Sequence, residues 1–444
     1  MTAHDTVDVA VVGGGACGIM TALRAARNPD LVIAVFEKST REGCNAAISS
    51  GSLAAGGTRF QRAAGITDSP EMHAQEILAA SGDQGARDLV LALCRAAPRY
   101  VEWIADELGY PMEIGLDMPR AGMSVPRLHT DEGREGGRYL MRWLRRALDE
   151  CANVAFMDEA PVVDLVGGPS GVTGVVVRQN GGSSTVTARH VVLACDGFAA
   201  SPDLMRRYGS DLGEPLYGGV STSTGDALPW LERLGARTRN MGAYLRHGLM
   251  VVGHGTRLNP ALPFMGAALL DDNGDRFVEE SSLGYSALGD LLHRRPGERA
   301  VLAWDEPAMA ATAKSELMRE SARAAAYRRF ADADELAGAF GMSPASVETS
   351  LKVATGGRGV QPPLYAARVT HGVLTTQGGV VVDTEGRVLT GARRPIPGLR
   401  AGGGTAAGLA GPSSAGYSSG NGLLSAFGMG WIVGDAIARR PDDQ

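Results

Sequence analysis

Three glycines near the amino terminus have the spacing that proteins use to hold a phosphate group. Gly13, Gly15 and Gly18 fill the fixed positions of a GxGxxG motif, and Glu37 follows 19 residues after the last of them. In this motif the first glycine permits a tight turn, the second lets the backbone approach a pyrophosphate, and the third allows close packing of a helix on a strand. An acidic residue at this distance accepts hydrogen bonds from a ribose. The residues therefore predict a dinucleotide site.

The sequence on both sides of the motif predicts the elements that such a site requires. Residues 7–12 form a valine-rich apolar run, typical of a buried parallel strand, and residues 19–27 continue with helical spacing. A second apolar run, residues 31–36, ends directly before Glu37. Because the helix begins at the glycine turn, its free amide groups and its dipole would face the pyrophosphate.

A segment of small residues, 45–57, follows the second predicted strand and carries no charged side chain. Thirteen uncharged residues are atypical of a loop in solvent, although a surface loop is the simplest alternative. We therefore predict that this segment lies along the bound dinucleotide.

The composition excludes several classes of function. The chain has 444 residues, 43 basic and 49 acidic side chains and a net charge of −6, so it offers no electrostatic footprint for nucleic acid. Its five cysteines form no CxxC pair, which argues against a disulfide framework or a metal site and for a reducing compartment. Residues 423–433 are too short to span a bilayer, which takes ~20 apolar residues. Asp5 and Asp8 replace the basic start of a signal peptide, so we expect a cytoplasmic protein without a membrane partner.

The character of the chain changes in its middle part. Between residues 241 and 368 strand-like runs thin out, helical patterns such as 306–326 take over and arginine becomes frequent. The earlier pattern then returns and closes with a long helix over about residues 420–438. We predict an α/β protein in which a capping domain of α+β character interrupts a two-part Rossmann-like domain. The predicted ranges are 1–240 and 369–444 for the Rossmann-like domain and 241–368 for the cap.

The order of motifs resembles the flavoprotein subunits of fumarate reductase and succinate dehydrogenase and their relatives, which include the ketosteroid dehydrogenases. The resemblance is carried by the GxGxxG segment with Glu37 and Lys38, by residues 193–198, 223–226 and 273–277, and by the tail through 420–422. It implies that the two-part domain binds FAD. The residues that it assigns to the cofactor are Gly13, Gly15, Ala16, Cys17, Gly18, Glu37, Lys38, Cys44, Asn45, Ser49, Ser50, Gly51, Val162, Ala194, Gly197, Asp226, Gly402, Gly403, Asn421, Gly422 and Leu423.

Several positions depart from the fumarate-reducing relatives. Those proteins carry an arginine in the cap that acts as the acid catalyst, whereas the corresponding residues of this chain, 263–267, include no arginine. Tyr417 stands where those proteins carry a second arginine, which binds the substrate. Only His247 keeps a position like that of the cap's substrate histidine. Because two buried anionic groups without partners cost several kcal/mol each, fumarate and succinate are poor candidates. Ala46 and Ala47 stand where relatives with a histidyl–FAD bond carry histidine, so a non-covalent cofactor is implied.

Hydroxyl groups stand where these charged groups are missing. Tyr417 and Ser419 precede the last helix, where the family places groups over the flavin, and Tyr285 follows residues 273–279 of the cap. This arrangement resembles the ketosteroid dehydrogenases, in which one tyrosine polarises the substrate ketone and another takes an α-proton. It implies Tyr417 with Ser419 as carbonyl donors, Tyr285 as base, and His247 as a further catalytic group. The alternatives are a helix-capping segment for Tyr417 and a buried, singly hydrogen-bonded side chain for Tyr285.

We expect an FAD-dependent oxidoreductase acting on a small carbonyl compound. The reaction implied is removal of two hydrogens α,β to the carbonyl of a cyclic ketone or keto-acid, with hydride passing to flavin N5. The alternatives are an ene-reductase that saturates an activated C=C bond and a flavin-bearing subunit without catalysis. No haem or iron–sulfur motif is present in the sequence, so oxygen, a quinone or a separate protein would exchange electrons with it. A cation facing the flavin, Arg246 or another, would favour a keto-acid, and an apolar pocket a steroid-like ring.

Overall fold

The computed structural model describes residues 4–83, 86–116, 120, 122–168, 170–179, 181–209, 215–353 and 358–439. The helices in these ranges are α1 (Ala16–Ala25), α2 (Arg59–Ala63), α3 (Pro70–Ser81), α4 (Arg87–Asp106), α5 (Gly137–Asp149), α6 (Pro202–Tyr208), α7 (Leu228–Arg233), α8 (Tyr285–His293), α9 (Glu306–Thr312), α10 (Glu316–Arg323), α11 (Ala333–Phe340), α12 (Pro344–Lys352) and α13 (Asn421–Ala438). The strands are β1 (His4–Val12), β2 (Ile33–Phe36), β3 (Leu53–Ala54), β4 (Met112–Ile114), β5 (Leu128–Asp131), β6 (Val154–Met157), β7 (Val162–Gly168), β8 (Gly171–Gln179), β9 (Gly182–Leu193), β10 (Leu216–Tyr217), β11 (Thr238–Arg239), β12 (Tyr244–Val251), β13 (Ala268–Leu270), β14 (Arg299–Asp305), β15 (Arg328–Phe330), β16 (Leu364–Thr376), β17 (Gly379–Val380), β18 (Arg387–Leu389) and β19 (Pro395–Ala401). None of these helices is both long and apolar enough to cross a membrane.

The first sheet confirms the α/β class and the two-part character of the predicted domain. Its strands run in the order β18-β19-β9-β1-β2-β6, with β7 and β8 forming an antiparallel extension beside β9. β1 pairs in parallel with both β2 and β9, and β19, from the end of the chain, pairs in parallel with β9. All four residues of β2 are buried, as expected for a parallel strand covered on both faces.

The last helix, α13, packs directly on α1 and joins the two ends of the chain. Small residues make this close approach possible, because a Cβ atom at Gly430 would lie 2.6 Å from the backbone oxygen of Cys17. The Arg24 guanidinium lies 3.7 Å from the centre of a Trp431 ring and forms an ion pair of 2.7 Å with Asp435. Cation–π and ionic contacts of this kind reinforce apolar burial at a helix interface. Helix α1 is therefore held in place by residues from both parts of the domain.

A second sheet, in the order β10-β16-β14-β13 with β12 and β15 also paired to β16, forms the core of the inserted region. Sequence periodicity indicated mainly helices here, yet β12 is an eight-residue strand in which every residue is buried. The sequence pattern did not predict this strand, because a strand that is buried on both faces shows no alternation of apolar and polar residues. The strand also contains two polar residues, Arg246 and His247, which interrupt the apolar run. The sheet also reaches beyond residues 241–368, since β10 begins earlier and β16 continues to Thr376. The proposed domain boundaries stay a prediction.

Candidate active site

A large cavity lies where the carboxyl ends of β1 and β9 meet the inserted region. It holds about 1920 Å³, part of it open to solvent, and residues from both parts of the Rossmann-like domain and from the cap line it. Val12 and Ala194 contribute the strand ends, and Tyr285 lines it from the cap. In open α/β sheets, ligands bind in the crevice outside the carboxyl ends of the strands.

Gly13 and Gly15 of the glycine motif line this cavity, and the three glycines of the motif meet different requirements. Gly13 has φ +106°, and a Cβ atom there would lie 2.3 Å from the Ala194 oxygen; at Gly18 a Cβ atom would lie 1.9 Å from the Gly13 oxygen. At Gly15 the backbone is extended, and the nearest atom to an added Cβ is a Cys44 carbon at 3.7 Å. The fold itself therefore requires the first and third glycines. The second leaves open the space that a pyrophosphate needs.

Two further polar side chains, those of Glu37 and Asn421, could form hydrogen bonds with a dinucleotide that carries a polar ring. Glu37 lines the cavity and is oriented by its own backbone surroundings, since it accepts hydrogen bonds from the amides of Gly14 (2.7 Å) and Ser39 (2.9 Å). Asn421 lines the cavity from the start of α13, and both polar atoms of its buried side chain lack a hydrogen-bond partner among the described residues. A buried amide without partners is costly. A flavin ring, which offers both acceptors and donors, would satisfy it.

Most residues predicted to bind the cofactor do line the cavity. They are Gly13, Gly15, Ala16, Cys17, Glu37, Lys38, Cys44, Asn45, Ser49, Ser50, Val162, Ala194, Asp226, Gly403, Asn421, Gly422 and Leu423. Gly18, Gly51, Gly197 and Gly402 are not among the lining residues. Each of these four packs against other parts of the protein, because an added Cβ would lie within 2.7 Å of a neighbouring atom. These four positions were predicted because they are glycines, and a glycine indicates close packing of the backbone as readily as contact with a ligand.

The four residues predicted to be catalytic all line the same cavity: Tyr417, Tyr285, Ser419 and His247. Tyr285 is the first residue of α8, and Tyr417 lies on the segment that leads into α13. The ring centres of the two tyrosines are 5.9 Å apart, and that of His247 is 5.0 Å from Tyr285. The fold thus brings together side chains that are separated by up to 172 residues in the sequence. Their roles stay predictions.

The two tyrosine hydroxyls interact with each other, and one of them also contacts a backbone amide. Burial raises the pKa of Tyr285 well above its usual value, and its hydrogen bond to Tyr417 raises it further. Burial also raises the pKa of Tyr417, but hydrogen bonds from the Gly422 amide and from Tyr285 oppose that rise. The amide nitrogen lies 2.9 Å from the Tyr417 oxygen. Since the Tyr417 oxygen accepts the bond from this amide, its own proton can be donated. Burial works against the predicted role of Tyr285 as base.

His247 offers a donor rather than a base. Burial, and after it the charge of Arg257, lowers the pKa of His247 to about 3, so the ring is neutral at pH 7. Its Nδ1 accepts a hydrogen bond of 3.2 Å from the Leu249 amide. A neutral imidazole whose Nδ1 accepts carries its proton on Nε2. His247 therefore presents an N–H group.

The cavity is also lined by two arginines that the sequence analysis did not identify, Arg257 and Arg120. Arg257 Nη2 donates a hydrogen bond of 2.6 Å to the Ile48 oxygen, and no described carboxylate forms a salt bridge with this guanidinium. Burial lowers its pKa, yet an arginine stays charged. The charges of both arginines lower the pKa of Tyr285, which places them near the tyrosine pair. Arg257 follows β12 in an irregular loop, where no periodicity marks it.

Comparison with known proteins identifies the class of ligand. The model of the FAD binding domain family matches residues 8–423. The chain belongs to this family. The expected FAD cofactor is thereby confirmed, while the residues predicted to hold it stay predictions.

The relatives of this FAD-binding protein include several reductases. It is 27% identical over 457 residues to the NADH:fumarate oxidoreductase of Klebsiella pneumoniae, covering 99% of this chain and 48% of that protein. A probable fumarate reductase of Shewanella frigidimarina is 27% identical (99% and 76% covered), and the urocanate reductase of Eggerthella lenta 26% (96% and 74%). The chain thus spans about half of the first protein and three quarters of the others. The expected class, an FAD-dependent oxidoreductase, is confirmed.

Solved structures agree with this assignment of the fold. The open conformation of a flavocytochrome c3 fumarate reductase superposes with a TM-score of 0.78 at 26% identity, covering 98% of this chain and 78% of that one. A 3-ketosteroid Δ1-dehydrogenase from Sterolibacterium denitrificans gives a TM-score of 0.78 at 23% identity, with 98% and 99% covered. At the latter identity the likeness concerns the fold alone.

Arg246 does not reach the cavity of this FAD-binding protein but anchors the elements around it. Its buried guanidinium lies 3.0 Å from a carboxylate oxygen of Asp290, on the helix that begins at Tyr285, and donates to the Tyr244 hydroxyl. Asp290 in turn accepts a hydrogen bond from Ser414, three residues before Tyr417. The network therefore connects the segments that carry the two tyrosines.

The network continues to a cluster of His293, Glu298 and His371, whose side-chain ligand atoms lie within 4.8 Å of one another. His371 Nδ1 accepts a bond of 2.8 Å from Arg246, so the ring proton is on Nε2, which faces Glu298 at 3.0 Å. A metal ion would need the Nε2 lone pair instead. The cluster thus extends the hydrogen-bond network of Arg246 through His371 to Glu298.

Replacing Arg246 by methionine is expected to destabilise the protein by about 3–5 kcal/mol, because it leaves the carboxylate of Asp290 without its buried cation. Chemical denaturation of the FAD-loaded protein, followed by circular dichroism, measures this change. The matched control is Arg206→Met, which removes an exposed partner of Asp203 and is expected to cost less than about 0.5 kcal/mol. Equal effects of the two substitutions would contradict the anchoring role.

Proposed function

We propose that this protein reduces a C=C bond conjugated to a carbonyl group, in a substrate that carries a carboxylate. The observation that carries the proposal is the chemistry of the cavity wall beside the tyrosines, where the polar side chains are hydrogen-bond donors. They are the guanidinium groups of Arg257 and Arg120, the hydroxyl of Tyr417 and the Nε2–H of His247. Such a set binds oxygen-rich anions and supplies protons.

Arg257 and Arg120 are proposed to bind the carboxylate. A guanidinium presents a planar fork of donors that matches a carboxylate in two parallel hydrogen bonds. Arg257 retains this capacity, since its one hydrogen bond, to the Ile48 oxygen, uses a single hydrogen of Nη2. A substrate anion would also balance a charge that no described carboxylate neutralises by direct contact. This requirement disfavours a neutral, steroid-like ring.

Tyr417 is proposed to deliver the proton. FAD, when bound and reduced, supplies the hydride that reaches the β-carbon, and a proton must then reach the α-carbon. The Tyr417 oxygen accepts a hydrogen bond from the Gly422 amide, so its own proton can be donated to the substrate. This bond stabilises the oxygen as its negative charge develops. Tyr285 then acts as the group that re-supplies the proton.

A second candidate is the reverse reaction, desaturation of a keto-acid. It requires a base, and the charges of Arg120 and Arg257 are what favour an ionised Tyr285. The two directions therefore differ in whether the tyrosine pair starts protonated. The raised pKa of Tyr285 supports the reductive direction.

The test uses the FAD-loaded protein, photoreduced without oxygen and mixed with crotonate or with crotonamide. Flavin reoxidation by crotonate is expected, and Arg257→Met should lower its kcat/KM about a hundredfold, or about 2.7 kcal/mol, because a buried charge pair is lost. Crotonamide, which carries no charge, should be turned over by the variant and by the unchanged protein at equal rates. Arg257→Lys should recover part of the loss.

Bleaching of the oxidised flavin by saturated keto-acids, with no reoxidation by unsaturated acids, would favour the second candidate. If neither class changes the flavin spectrum, the proposed function is wrong.

A further inference from the structure

A second, smaller chamber adjoins the cavity, on the side away from the glycine motif. It holds about 590 Å³, part of it open to solvent. Five residues line both spaces, so the two are direct neighbours: Ser50, Ser52, Arg120, Pro260 and Leu317. Neither the tyrosine pair nor His247 lines this annex.

The annex lies between the two structural halves of the protein. Ser50, Ser52 and Thr130 contribute from the Rossmann-like part, while Asn259 and Ala311 contribute from the inserted region. Opposite walls of the annex therefore belong to different parts of the protein, and the annex is not inside the hydrophobic core of either part. A ligand that enters the annex would contact both parts at once.

The walls of the annex suit an oxygen-bearing group. Ser50 donates to the Ser52 hydroxyl at 3.2 Å, which leaves the Ser52 proton for a ligand. Asn259 Oδ1 accepts from the Ala261 amide at 2.9 Å, so both of its amide hydrogens are left for a ligand or for water. Glu316 also lines the annex, but its carboxylate is neutralised by Arg319 and Arg323 at 2.8 and 2.7 Å.

We infer that the annex receives the far end of the substrate, and that the substrate is a 2-enoic acid with an extended, hydroxylated or carbonyl-bearing tail. The inference rests on the proposed function, which places the carboxylate at Arg257. Arg257 lines the larger cavity only, whereas Arg120 lines both spaces, so the carboxylate would lie in the larger cavity and the tail would extend past Arg120 into the annex. A four-carbon acid would leave the annex empty.

The experiment compares three acids that share one reactive end: crotonate, (E)-6-hydroxyhex-2-enoate and (E)-hept-2-enoate. In the last, a methyl group replaces the hydroxyl of the second. Each is titrated into the oxidised FAD-loaded protein, and dissociation constants are read from the change in flavin absorbance. The hydroxy acid is expected to bind about tenfold more tightly than either of the others.

Two variants test the location. Ala311→Phe fills the annex from α9 and should abolish the advantage of the hydroxy acid without changing the affinity for crotonate. Ala313→Phe, at the exposed end of the same helix and lining neither space, is the matched control and should change nothing. Asn259→Leu should weaken binding of the hydroxy acid alone.

Equal affinity of the unchanged protein for the three acids, or an advantage that survives Ala311→Phe, would overturn the inference and leave the proposed function standing. Failure of all three acids to perturb the flavin would overturn both.

Discussion

Replacing Tyr417 by phenylalanine is expected to lower the rate of substrate reduction by about 10²–10³-fold while FAD stays bound. The substitution removes the group that is proposed to protonate the α-carbon, and a positioned general acid contributes about 10²–10⁴-fold in comparable sites. Phenylalanine keeps the ring that packs near Tyr285, whose centre lies 5.9 Å away. Stopped-flow measurement of flavin reoxidation by crotonate gives the rate directly. The absorbance spectrum of the purified variant shows whether the cofactor is retained.

Tyr285→Phe is the matched comparison, and its effect should be smaller. Tyr285 lies beside Tyr417 but is one step removed from the substrate in the proposed proton path. Its loss leaves the 2.9 Å bond from the Gly422 amide to the Tyr417 oxygen in place. If Tyr285→Phe proves the more damaging substitution, the tyrosine roles are the reverse of those proposed. Tyr285 would then be the residue nearer to the chemistry.

The largest effect on the cofactor is expected at Gly15. Valine there should weaken FAD binding at least about a hundredfold, or about 2.7 kcal/mol, because its side chain would occupy the space that the pyrophosphate needs. The protein itself tolerates a side chain at this position, since the backbone is extended and the nearest atom to a Cβ lies at 3.7 Å. Titration of the apoprotein with FAD, followed by flavin fluorescence, measures the change.

Gly168→Val is the control for this experiment. Gly168 ends a strand, and no atom lies within 4 Å of an added Cβ, so the same substitution should leave both FAD affinity and folding unchanged. The circular dichroism of Gly15→Val should also match that of the unchanged protein. Retention of FAD by Gly15→Val would show that the pyrophosphate lies elsewhere.

The cofactor site was predictable because its physical constraints are local. The phosphate cradle needs a strand, a glycine turn and a helix that are consecutive in the chain, and the predicted strand over residues 7–12 is part of β1. Glu37 directly follows β2, as the spacing indicated. The predicted final helix over 420–438 likewise matches α13, which begins at Asn421.

The substrate side was predictable only in part. The resemblance pointed to Tyr285 and Tyr417, whereas Arg257 lies in a loop whose position depends on how β12 pairs with β16. That pairing joins residues more than a hundred positions apart, and no sequence period reports it. Arg246 shows the opposite case: its position beside His247 suggested a substrate contact, but side chains of neighbouring strand residues point to opposite faces. It accordingly pairs with Asp290 instead.

The contact between α1 and α13 joins segments that are synthesised at very different times. The helix that receives the pyrophosphate is built from residues 16–25, yet the Trp431 and Asp435 side chains that fix Arg24 are translated some four hundred codons later. Strand β9 likewise waits for β19 to cover its free edge. Since the last cavity-lining residues lie in α13, we expect loading with FAD to follow translation of that helix.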